Sequence, residues 1–136
     1  MAAKNLVVDA GFLVALWHRN DRHHSWAMAA AEVNPPPWMA CESALSEADH
    51  LLSRPGRRTL RMAVRRGAIR LVATLAEETS AILTLLEKYD NVPMSVADAC
   101  TVRLTEILSD PLVLTTDADF RIYRRQSRKV VPCLLP

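Results

Sequence analysis

Glycine and aromatic side chains are scarce, with 3 Gly, 2 Phe, 2 Tyr and 3 Trp in 136 residues. An all-β sandwich needs many turns and is disfavoured by that shortage, whereas the abundance of Ala and Leu points to helices packed on something. Cysteine is sparse as well. Cys41, Cys100 and Cys133 are odd in number, scattered and without zinc spacing, so reduced packing thiols are expected rather than a disulfide framework. No apolar run approaches the roughly 18 residues that would span a bilayer. The opening MAAKNLVVDAGFLVALWHRND is interrupted by Asp9 and shows no signal-peptide cleavage pattern, so a cytoplasmic protein with no membrane partner is expected. Internal repeats and linkers are absent too, and low complexity is confined to the prolines at 35–37. Residues 1–136 therefore read as one domain, long enough to bury roughly two thirds of the surface of its unfolded chain.

What is present is an ordinary globular balance, 50% hydrophobic and 24% charged, with a net charge of +2. The positive charge is unevenly spread. Seven arginines (Arg54, Arg57, Arg58, Arg61, Arg65, Arg66, Arg70) occupy 54–70 without an acid, and Arg121, Arg124, Arg125, Arg128 and Lys129 form a second block. Such blocks suit a polyanion, and equally a solvated helix face or a surface for an acidic protein.

Apolar periodicity predicts strands at 5–8, 38–41, 69–72 and 112–114, with an edge strand at 130–131. Helices are predicted over 11–19, 22–33, 42–53, 58–66, 76–89 and 95–108, and a short basic helix over 118–124. Asn34 and the prolines after it stop the second helix, and Arg54-Pro55-Gly56 reads as another break. Ser95 and Asp98 have capping-box spacing. Alternating strands and helices imply an α/β fold, a mainly parallel sheet covered on both faces, with ligands beyond the carboxyl ends of the strands.

Four acids are candidates, three of them at strand ends or helix starts, which that rule places on one edge. Asp9 and Asp117 each follow an apolar run, Asp98 lies at a helix start, and Glu47 borders the apolar stripe of its helix. Singly they read as caps or solvated residues. Together they would repel, and a divalent cation with hard oxygen ligands relieves that repulsion. Arginine beside such a cluster suits a phosphate-bearing substrate. His23 and His24 have no acid or cysteine at matching helical spacing and read as surface or helix-start residues.

VVDAGFLVAL, SALSEADHLL, YDNVPMSVADACTVRLTE and VLTTDADF, in that order and spacing, resemble the PIN-domain proteins of the VapC-like ribonuclease toxin type across nearly the whole chain. The resemblance implies an α/β/α sandwich with strand order 3-2-1-4-5, which sets the ends of the first and fourth strands side by side. It carries the catalytic and metal-binding acids over as Asp9, Glu47, Asp98 and Asp117, with Asp119 as a weaker candidate and Thr115 as a supporting hydroxyl. Gly11 departs from the pattern, since many members carry a hydroxyl or amide residue there. The implied activity is a Mg²⁺- or Mn²⁺-dependent endoribonuclease leaving 5′-phosphate and 3′-hydroxyl ends, with Arg57, Arg58, Arg61, Arg65 and Arg121 gripping the RNA backbone. A small antitoxin partner and a homodimer are implied likewise, and apolar surface near Trp17, Trp26 and Trp38 would serve either contact or, as the better reading, the core. The rival reading is a non-catalytic RNA- or protein-binding module of the same fold. A receiver-like phosphoacceptor is remote, because the TTDADF acids come late and the expected lysine is missing.

Overall fold

A computed structural model describes residues 4–72 and 75–136. In chain order the elements are β1 (Asn5–Val8), α1 (Ala10–Trp17), α2 (His24–Val33), β2 (Trp38–Ala40), α3 (Glu42–Leu51), α4 (Arg54–Arg65), β3 (Ile69–Leu71), α5 (Thr79–Lys88), α6 (Val96–Ile107) and β4 (Pro111–Leu114). A single 3₁₀ turn (Ala118–Arg121) follows, then β5 (Arg124–Arg125), β6 (Lys129–Val130) and β7 (Cys133–Leu134). The main sheet is parallel in the order β3-β2-β1-β4-β7, the predicted arrangement of five strands with helices on both faces.

Burial on both faces explains why β1 from Leu6, β2 and β4 are apolar, whereas β3 carries Arg70. Val8, Ala40 and Leu114 enter one core with Phe12, Leu13, Trp38 and Leu60, while Val7, Cys41 and Val113 enter the other with Ile82, Leu104, Phe120 and Tyr123. Trp38 is 3% exposed, and Phe12 meets Trp26 and Trp38 edge-on at 6.0 and 5.5 Å. Trp17 and Trp26 pack against the same cluster, so all three tryptophans serve the core. Among the described residues no helix is long and apolar enough to cross a membrane.

Three expectations need correction. Arg54-Pro55-Gly56 does not break the chain but opens α4, since proline is tolerated in a first helical turn where its missing N–H has no intrahelical partner. Gly56 is required there by crowding: a Cβ would stand 2.7 Å from the Trp17 carbonyl oxygen. The fifth sheet strand is Cys133–Leu134 rather than 130–131. Val131 is buried in the core and the Pro132 carbonyl accepts from Val113 N–H at 2.9 Å, while Lys129–Val130 pairs antiparallel with Arg124–Arg125 in a separate hairpin. The basic helix over 118–124 shrinks to the 3₁₀ turn because the chain must enter that hairpin.

The chain turns from β1 to β2 and β3 on one side and supplies β4 and β7 on the other. β1 and β4 are therefore paired across the switch point, with Val8 opposite Leu114. Asp9 leaves β1 where Thr115 leaves β4.

Candidate active site

Asp9 is 7% exposed, and each of its carboxylate oxygens accepts one hydrogen bond. Its Oδ1 accepts from Phe12 N–H at 2.9 Å, which caps α1, and its Oδ2 accepts a short hydrogen bond from the Thr115 hydroxyl. Thr115 Oγ1 in turn accepts from Asp117 N–H at 2.9 Å, so one buried hydroxyl ties the two strand ends together. Asp117 Oδ1 accepts from Asp119 N–H at 2.9 Å and caps the 3₁₀ turn. The cap therefore belongs to Asp117, not Asp119.

Asp98 completes the capping box expected for α6: its backbone N–H donates to Ser95 Oγ at 3.0 Å and its Oδ2 accepts from Ser95 N–H at 3.1 Å. The same Oδ2 accepts from the Tyr123 hydroxyl at 3.2 Å. Tyr123 is fully buried and stacks edge-on against Phe120 and Tyr89, so its hydroxyl approaches Asp98 along a fixed line. Sequence reading missed it. The Phe120–Tyr123 spacing was the available signal, masked by the arginines around it.

These caps converge. Asp9, Asp98 and Asp117 line one cavity of about 160 Å³ with Ala10, Gly11, Ala44, Ala97, Thr101 and Glu47, which is exposed on α3. Asp119 stands on the adjoining turn, outside that lining. Burial pushes the Asp9 carboxyl up to about 7, against the Thr115 and Phe12 hydrogen bonds that lower it, and the charges of Asp117 and Asp98 add to the rise. Burial also raises Asp98, opposed by the Ser95 N–H and reinforced by Asp117. Tyr123 is raised by burial and then by the Asp98 charge, so it stays protonated and donates.

The cluster accumulates more negative charge than it can hold unaided. Among the described residues no three acids close into a ready-made metal cage. No hydrogen bond to a described residue engages Asp98 Oδ1 or Asp117 Oδ2.

The arginines divide into tethered and free. Arg57 donates to the Asp49 and Leu52 carbonyls at 2.9 and 3.0 Å, closing the end of α3, and Arg61 grips the Asp49 carboxylate at 2.8 and 2.9 Å. Arg124 folds onto the carbonyls of Arg121, Ile122 and Tyr123, and Arg125 onto those of Thr105 and Leu108. Arg58, Arg65 and Arg121 are exposed. His23 precedes α2 and His24 Nδ1 lies 2.8 Å from the Ala15 carbonyl oxygen, both outside the acidic cavity. A larger, more open groove of about 630 Å³ runs between α3 and α4, lined by Glu42, Leu45, Ser46, Asp49, Arg61, Val64 and Arg65. Its two acids, Glu42 and Asp49, both lie on α3, and Asp49 is neutralised by Arg61, so this groove does not gather acids from separate elements as the smaller cavity does.

A family model described as the PIN domain matches residues 6–126. Among solved structures the chain is similar to VapC20 of Mycobacterium tuberculosis, described as a sarcin–ricin-loop-cleaving toxin. The TM-score is 0.72 at 23% identity, covering 85% of this chain and 92% of that one. No curated protein matches the sequence.

Proposed function

The chain belongs to the PIN-domain family, and on that premise we propose that it is a Mg²⁺- or Mn²⁺-dependent endoribonuclease, the toxin of a toxin–antitoxin pair acting in the cytoplasm. One observation carries the reading: Asp9, Asp98 and Asp117, from three separate parts of the chain, face a single cavity beside Glu47. The three aspartates hold the cation, and Glu47 orients the attacking water. A bound divalent ion lowers the pKa of water and screens charge on the phosphodiester oxygens. Tyr123 and Thr115 keep Asp98 and Asp9 aimed at the cavity. The exposed Arg58, Arg65 and Arg121 hold the RNA backbone, giving affinity rather than sequence choice. Unpaired or looped RNA is the expected substrate, because its bases can be splayed out of a stack. A short antitoxin segment is the partner that the open α3–α4 groove suits, and a homodimer is expected.

Purified chain incubated with a mixed RNA pool and Mn²⁺ should cleave, chelator should stop it, and Asp98→Asn and Asp117→Asn should be inactive. Equal activity in all three chains would identify a contaminating nuclease. Inactivity of all three on several RNAs would favour a binding module of the same fold.

A further inference from the structure

Two threonines follow β4, and they are used differently. Thr115 is buried and commits its hydroxyl to the Asp9 carboxylate and the Asp117 N–H. Thr116 is half-buried, and its hydroxyl makes no hydrogen bond to any described residue. That hydroxyl stands over Gly11. A methyl group added to Gly11 would lie 2.5 Å from Thr116 Oγ1 and 3.7 Å from Asp9 Oδ1.

Backbone geometry does not explain this glycine. Gly11 lies in the first turn of α1 and, unlike Gly67, is not in the left-handed region. A glycine inside a helix is destabilising by about 1 kcal/mol relative to alanine. What requires Gly11 is the room its bare Cα leaves for the Thr116 hydroxyl beside the acids. Thr116 adjoins the cavity through Gly11 rather than lining it, and the polar side chains that do line it are carboxylates, which accept, and Thr101, whose hydroxyl already donates to the Ala97 carbonyl at 2.9 Å. An RNA phosphodiester presents only acceptors on its phosphate and needs a donor.

Resting on the nuclease reading above, we propose that Thr116 is a substrate-contacting residue whose hydroxyl, admitted by Gly11, donates to a non-bridging oxygen of the scissile phosphate. Three measurements test it together: cleavage kinetics on one RNA oligonucleotide with Mn²⁺, direct Mn²⁺ titration and thermal melting. Thr116→Val keeps the volume and removes the donor. It should lower kcat/KM about tenfold while Mn²⁺ affinity and Tm stay unchanged. Thr116→Ser returns the hydroxyl and should restore most of the rate. Gly11→Ser combined with Thr116→Ala should exceed Thr116→Ala alone, because the new hydroxymethyl group enters the vacated space from the other strand end. A wild-type rate in Thr116→Val, or a loss matched by weaker Mn²⁺ binding or a lower Tm, overturns the assignment. A wild-type chain that neither binds Mn²⁺ nor cleaves ends the nuclease reading itself, a result distinguishable from both.

Discussion

The two walls of the acidic cavity are built differently. On the wall formed by β1, β4 and α6, each aspartate is held by backbone N–H groups, and a buried hydroxyl from Thr115 or Tyr123 adds a further bond to Asp9 or Asp98. On the α3 wall, Glu47 is exposed and its carboxylate makes no hydrogen bond to any described residue. One wall arrives pre-aimed, having met the desolvation and repulsion of its charges during folding; the other offers a long side chain free to swing towards whatever occupies the space. The rigid wall should therefore govern whether a cation binds, and the mobile one how well the reaction proceeds.

Asp9→Asn probes that division most severely. Cleavage should fall by about a thousandfold or more, since a ligand carboxylate is gone. Melting at pH 8 without metal should rise, because the amide has no charge to desolvate, still accepts from Phe12 N–H and turns its NH₂ to Thr115 Oγ1 in place of the bond Thr115 now donates. A destabilised Asp9→Asn chain would break the comparison. Glu47→Gln comes next, with kcat reduced about 10- to 100-fold, Mn²⁺ affinity little changed and Tm within about 1 °C of wild type.

The pH dependence is smaller but more specific. With its carboxyl raised to about 7 from 3.8, Asp9 carries a proton in the folded, metal-free chain that the unfolded chain has already lost. Metal-free stability therefore falls as pH rises between those two values and levels off above about 7. Cation binding must displace the same proton, so Mn²⁺ affinity measured by calorimetry should rise about tenfold per pH unit up to about 7 and then flatten. A flat profile from pH 5 to 8 would show that the buried wall does not control binding. Tyr123→Phe is expected to have the smallest effect, a severalfold loss of Mn²⁺ affinity with retained packing, read by the same titration.

The parts of this architecture legible in the sequence were those with local causes. Apolar runs ending in Asp9 and Asp117 marked strand ends, and Ser95 with Asp98 marked a helix start whose cap forms as expected. Capping does not keep these acids out of the cavity, because Asp9 and Asp117 cap a helix and a turn that start just past strand ends, and both line it. Less legible were features set by contacts distant in sequence. Tyr123 reaches Asp98 across 25 residues, and nothing near it announces a buried hydroxyl. The final sheet strand depends on Pro132 presenting its carbonyl to β4, and the β-branched residues at 130–131 carry the stronger local strand signal. Arginine count says nothing of whether a guanidinium is free; Arg57, Arg124 and Arg125 are occupied by carbonyls that no periodicity reveals.

The latch from Thr115 to Asp9 joins residues 106 positions apart. Until β4 has docked beside β1, the chain before it carries Asp9, Glu47 and Asp98 but lacks Asp117 and the Thr115 hydroxyl that fixes Asp9. On the nuclease reading, cleavage competence therefore comes late in synthesis, with residues 111–136, the last fifth of the chain.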